Sequence, residues 1–137
     1  MGYNIIKGML AMEIEVTNFD ACNDRITTYN YFDGNNMPDY IRELLKKIRK
    51  QPALYIGKKS LDRLSHFLSG YVCCIYEQQG IVVQPLPGFQ EYISKEFAIQ
   101  SAHGWFDILL FFSSGEEEAF DKFYIYLDRF YGEGWDT

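Results

Sequence analysis

Histidine and cysteine are scarce in this chain. There are two histidines, His66 and His103, and three cysteines, Cys22, Cys73 and Cys74, among 137 residues. No Cys-x-x-Cys pair occurs, and no recognisable spacing gathers the four ligands that a structural zinc needs. Adjacent cysteines on one helix point in different directions and rarely pair with each other. Cys22, Cys73 and Cys74 are therefore expected as reduced, partly buried thiols of a cytoplasmic protein. No apolar run reaches the roughly 18 residues of a membrane span. The start, Met1 to Glu15, carries Lys7 together with Glu13 and Glu15, and lacks the long apolar stretch of a signal peptide. No arrangement of nucleophile, base or metal ligands stands out, so no enzyme, cofactor or metal is expected.

Positive charge is short overall and concentrated where it occurs. The chain has 13 basic and 19 acidic residues, a net charge of −6. Between Arg42 and Arg63 lie Arg42, Lys46, Lys47, Arg49, Lys50, Lys58, Lys59 and Arg63 against only Glu43 and Asp62, a local charge of +6, which leaves −12 for the remainder. A mainly anionic surface repels nucleic acid and anionic lipid and attracts basic proteins, although solubility alone also accounts for such a charge.

What is abundant is apolar and aromatic: 47% and 18% of the residues. A chain of this size buries roughly two-thirds of its unfolded surface, enough for a core without staples. Met1 to Asn35 reads as an extended appendage, with Met12–Phe19 and Ile26–Phe32 as candidate strands around a turn at Asp20–Asp24, and a break at Asp33-Gly34-Asn35-Asn36. Residues 36–137 read as a helical domain. Asn36 can cap a helix whose apolar side is Tyr40, Ile41, Leu44, Leu45 and Ile48, ended by Pro52. Pro52 to Lys59 is a connector. Ser60 caps a long helix reaching about Gln79, with Leu61, Leu64, Leu68, Tyr71, Val72 and Ile75 inward and His66 near that face. Gly70 is a weak point there or a site of close packing. Phe89, Tyr92, Ile93 and Phe97 mark a further helix. Trp105 to Phe112 is helix or buried strand. Ser114 and Glu117 match a capping box before a last helix through Phe120, Phe123, Tyr124, Leu127, Phe130 and Tyr131, stopped by Gly132. The fold class expected is mainly α, a compact bundle of about four to five helices with a small extended or β N-terminal appendage.

The densest carboxylate group is Glu116-Glu117-Glu118 with Asp121. Acids at a helix start are ordinary, because the helix dipole favours them. A solvated first turn, a protein-binding surface and a catalytic or metal pair are the three readings, and the last needs a cleft that splits the pKa values. His103 beside Trp105 has no nucleophile placed next to it and reads as a core or capping histidine.

Arg49-Lys50-Gln51-Pro52-Ala53-Leu54-Tyr55-Ile56-Gly57 looks like a motif near the start of the DNA gyrase B ATPase domain, Arg-Lys-x-Pro-x-x-Tyr-Ile-Gly. That likeness stops after these nine residues. The helix from Ser60 has Glu77 but no Asn, and the later Asp-x-Gly-x-Gly nucleotide motif is missing. A broader pattern spans residues 39–131: a basic helix, the Arg49–Gly57 segment, then Ser60, Leu64, Phe67, Gly70 and Tyr71, then Gly104-Trp105, then a Glu-rich start to an aromatic helix from Glu116 to Phe130. In this the chain resembles small bacterial immunity proteins encoded beside polymorphic or contact-dependent growth inhibition toxins. The resemblance implies a cytoplasmic, non-catalytic antitoxin. It would bind a cognate toxin C-terminal domain and block its active site, with neither nucleic acid nor membrane as partner. Many such toxins are nucleases with basic clefts, which an acidic partner would fill. Charge then selects Asp107, Glu116, Glu117, Glu118 and Asp121, with Tyr124, as toxin-binding candidates. The alternative is a small nucleic-acid- or nucleotide-binding module using the basic 42–63 segment with Tyr55.

Overall fold

The structure, a computed structural model, describes residues 37–100, 103–132 and 134–135. The strands and turn expected before residue 36, and the Asn36 cap, lie outside the described residues, as does Cys22. About 70% of the described residues are helical, in six helices with no strand among them, so this part of the chain is mainly α as expected. The described residues fall into two units, 37–69 with 85–135 in one and 70–84 in the other.

Helix α1 spans Asp39–Lys50. Its buried side chains Ile41, Leu44, Leu45 and Ile48 follow the 3–1–3 spacing that puts them on one face. Lys47, Arg49 and Lys50 occupy its last turn, where the negative end of the helix dipole favours cations. The expected connector from Pro52 contains a one-turn helix, α2, Pro52–Ile56, begun by a proline whose fixed φ suits a first helical position. Gly57 ends it at φ +88°, a left-handed backbone angle that favours glycine, and the Arg63 guanidinium beside it donates to the Ile56 carbonyl at 3.0 Å.

Helix α3, Leu61–Gln79, starts as expected, with the Ser60 hydroxyl accepting the Arg63 backbone N–H at 3.1 Å. Leu61, Leu64 and Leu68 are buried, whereas Tyr71, Val72 and Ile75 are only half-buried. Three expectations on this helix need correction. His66 is exposed rather than packed, and Cys73 and Cys74 are exposed rather than partly buried. At 100° per residue all three point away from the Leu64–Leu68 line. Nor does Gly70 mark a close approach among the described residues, none of which lies within 4 Å of a Cβ built on it.

Helices α4 (Phe89–Glu96), α5 (Trp105–Phe111) and α6 (Glu116–Tyr131) complete the larger unit. The apolar 105–112 segment is thus a short helix. Its entry is fixed by Gln90 of α4, whose carbonyl oxygen accepts the Trp105 N–H at 2.7 Å while its amide donates to the His103 carbonyl at 3.1 Å. His103 itself is exposed, which removes the core reading for it. Fully buried Phe89 is the hub of the aromatic core, with ring centroids of Trp105, Phe123 and Phe130 at 5.5, 5.8 and 6.0 Å, and Trp105 stacks on Phe123 at 5.0 Å. Gly132 ends α6 at φ +89°.

Candidate binding surface on helices α5 and α6

The acidic start of α6 is held by the chain's own polar groups. One oxygen of Glu116 accepts the Ser60 hydroxyl and the Asp62 backbone N–H, both at 2.9 Å, so this carboxylate caps α3 from 54 residues away. Lys59 pairs with Asp121 at 2.8 Å, lies 3.8 Å from Glu117, and sits 5.9 Å from the centroid of the Phe120 ring. The Asp121 bond holds the Lys59 ammonium above its ordinary pKa against the effect of desolvation. Glu118 accepts from the Ser114 hydroxyl and pairs with Lys122 at 3.2 Å. Those bonds, Ser114 first, draw its carboxyl below the usual range. The capping interaction expected between Ser114 and Glu117 therefore falls to Glu118, one residue later. The α-helix begins at Glu116 behind Gly115, which leaves Ser114 one position further from the first turn.

Tyr124 is placed far from solvent. It is 2% exposed, its hydroxyl donates to the Leu45 carbonyl at 2.7 Å, and the Arg49 guanidinium lies 4.9 Å from its ring centroid. Arg49 also grips Asp128, at 3.1 and 3.0 Å to the two carboxylate oxygens, and the Trp135 indole N–H donates to the same carboxylate at 2.6 Å. Burial favours a raised pKa for Asp128, but the Arg49 and Trp135 bonds and the Arg49 charge outweigh it and hold the carboxyl below the usual range. As a toxin-binding candidate Tyr124 is corrected: it is committed to joining α6 to α1.

Of the expected binding residues, Asp107 and Glu117 keep the most freedom. Asp107 is exposed in the first turn of α5 and forms no ion pair with the described residues; the Glu117 side chain is 76% exposed. Glu117 and Asp121 share Lys59, Glu116 turns to Ser60 and Asp62, Glu118 to Ser114 and Lys122, and Tyr124 inward to Leu45.

The structure places another feature beside Asp107. Phe111 is 79% exposed and Phe112 40%, where an apolar run suggests burial. Phe112 stacks on Phe97 at 4.8 Å, Phe97 lies 5.4 Å from Tyr126, and Arg129 lies 4.9 Å from the Tyr126 centroid. These residues form an open aromatic ledge. Lys122 donates to the Phe112 carbonyl beneath it. Ile125, exposed at 45%, adds apolar surface to the neighbouring side of α6. Charge did not point to this ledge; the signal in the sequence was two adjacent phenylalanines at the end of a helix too short to bury both.

Elsewhere, exposed Lys47, Lys50 and Lys58 form no ion pair with the described residues, and exposed Leu54 stands among them in sequence. Among the described residues no three His, Cys, Asp or Glu side chains converge as metal ligands, and no helix is long and apolar enough to cross a membrane. A shallow depression along α4, lined by Gln90, Glu91, Ser94, Lys95 and residues 98–100, contains neither histidine nor cysteine. Comparisons of the chain with protein-family models, curated proteins and solved structures give no match.

Proposed function

We propose that this chain is an inhibitory binding protein of the immunity type, which neutralises a cognate toxin domain in the cytoplasm by covering its active site. The observation that carries the reading is the exposed aromatic ledge next to the solvent-facing carboxylate of Asp107. Rigid aromatic area bound at low entropy cost, surrounded by polar groups, is the make-up of a protein-binding hot spot. A partner with a basic cleft, as in a nuclease, would be drawn in by the net charge of −6 and held by the ledge. Because Glu116, Glu118 and Asp121 already serve the fold, the grip is more aromatic and less purely acidic than charge alone suggests. The test is co-expression with the toxin domain encoded in the neighbouring open reading frame. The reading expects restored growth and a stoichiometric complex; continued killing with both proteins present and folded refutes it.

One observation favours a second reading, a nucleic-acid-binding module. Lys47, Lys50 and Lys58 are exposed with no carboxylate from the described residues on them. Binding of that kind weakens steeply with salt. The absence of any oligonucleotide mobility shift at low salt eliminates it.

A further inference from the structure

The molecule contains a worked example of what an aromatic ring and a carboxylate one helical turn apart can hold. On α6, Tyr124 and Asp128 stand at i and i+4 and together take the Arg49 guanidinium, with two carboxylate hydrogen bonds and the ring 4.9 Å away. On α5, Asp107 and Phe111 have the same spacing in the reverse order, so they share a face. Both are exposed, and no cation from the described residues occupies them. Several other acids and rings of this region are taken. Lys59 covers Asp121 and Phe120, Lys122 pairs with Glu118, and Arg129 lies over Tyr126. Glu96, exposed beside Phe97 and also without an ion pair to the described residues, adds a second uncommitted carboxylate on the α4 side of the ledge.

We infer that the Asp107–Phe111 face of α5 binds an arginine side chain of a basic segment on the partner protein, with the guanidinium stacked on the Phe111 ring and hydrogen-bonded to the Asp107 carboxylate. This rests on the protein-binding reading above and names its contact. Arginine is preferred to lysine because a planar guanidinium can stack and bond in two directions at once, whereas an ammonium is a compact, strongly hydrated point charge. The remainder of the ledge, Phe112, Phe97 and Tyr126, would receive apolar side chains flanking that arginine.

The experiment is an NMR titration of the full chain with hexa-arginine and, separately, hexa-lysine at physiological salt. The largest shift changes are expected at residues 107–112 with hexa-arginine. D107N and F111A should each weaken that binding roughly fivefold or more, and hexa-lysine should bind several-fold more weakly. Both substituted side chains are exposed, and an unchanged amide spectrum away from α5 confirms the fold. Shifts centred on Glu117 and Asp121, equal affinity for the two peptides, or full binding by D107N and F111A overturns the inference. So does a dimer, seen by sedimentation, that F111A dissolves, because the occupant is then a second copy. Toxin neutralisation that survives D107N and F111A removes this site while leaving the immunity reading intact. Hexa-arginine binding at α5 without neutralisation retains the site and removes that reading.

Discussion

The Tyr124 hydroxyl donates to the Leu45 carbonyl at 2.7 Å, tying the middle of α6 to α1 across 79 residues of sequence. Removing the hydroxyl takes a donor from the buried Leu45 carbonyl, and removing the ring leaves a cavity. Y124F is expected to cost about 1–2 kcal/mol of folding stability and Y124A about 3–5 kcal/mol, read from urea unfolding. Folded Y124F should bind a partner as the parent chain does. Unchanged stability with lost binding would return Tyr124 to the interface.

The Asp128 carboxylate makes the Arg49–Trp135 latch sensitive to acid. Its pKa is lower in the folded chain than the ordinary value. A group depressed on folding contributes stability that is complete above its unfolded pKa and is lost as pH falls through its folded pKa. The latch should therefore hold at neutral pH and weaken below about pH 4. D128N is expected to lower stability at pH 7 and to flatten the acid side of the stability profile, measured as the urea midpoint against pH. Parallel acid limbs for D128N and the parent would show that the latch carries none of this dependence.

Glu116 and Ser60 should behave as a unit. Glu116 accepts both the Ser60 hydroxyl and the Asp62 N–H, and Ser60 in turn accepts the Arg63 N–H. E116A and S60A are each expected to cost about 1–2 kcal/mol. In a double-mutant cycle their effects should fall short of additive, because either change removes the bond between them. Strict additivity would mean that the two caps act separately.

Gly70 offers the opposite sign. It lies inside α3, and none of the described residues stands within 4 Å of where a Cβ would be. G70A should raise stability by about 0.5–1 kcal/mol and the melting temperature with it, since alanine loses less backbone entropy in a helix. A destabilised G70A would show that something does pack against this position.

The helices were legible in the sequence where periodicity and a cap agreed. Ile41, Leu44, Leu45 and Ile48 lie inward on α1, and Phe120, Phe123 and Leu127 on α6, as their spacing predicts. The Ser60 cap is also as read. Periodicity failed where it had too few residues to work with: seven residues of α5 could not reveal that Phe111 and Phe112 face outward. In α3 it gave His66 to the wrong side: two positions from both Leu64 and Leu68, it is turned about 200° from each, onto the opposite face. The acidic candidates were visible as a charge cluster, but their partners were not. Ser60 and Lys59 stand 56 and 62 positions away from Glu116 and Asp121, a separation no local pattern encodes. Tyr124 fell into the same gap, since its partner belongs to α1.

The affinity of the cognate toxin domain for F111A, measured by calorimetry beside the parent chain, decides whether the ledge is the contact surface. A buried aromatic anchor at the centre of an interface contributes about 2 kcal/mol or more, so the dissociation constant should rise about thirtyfold or more while folding stability stays level. Parent-like affinity in folded F111A would contradict the claim that the aromatic ledge of α5 and α6 is where this chain meets its partner.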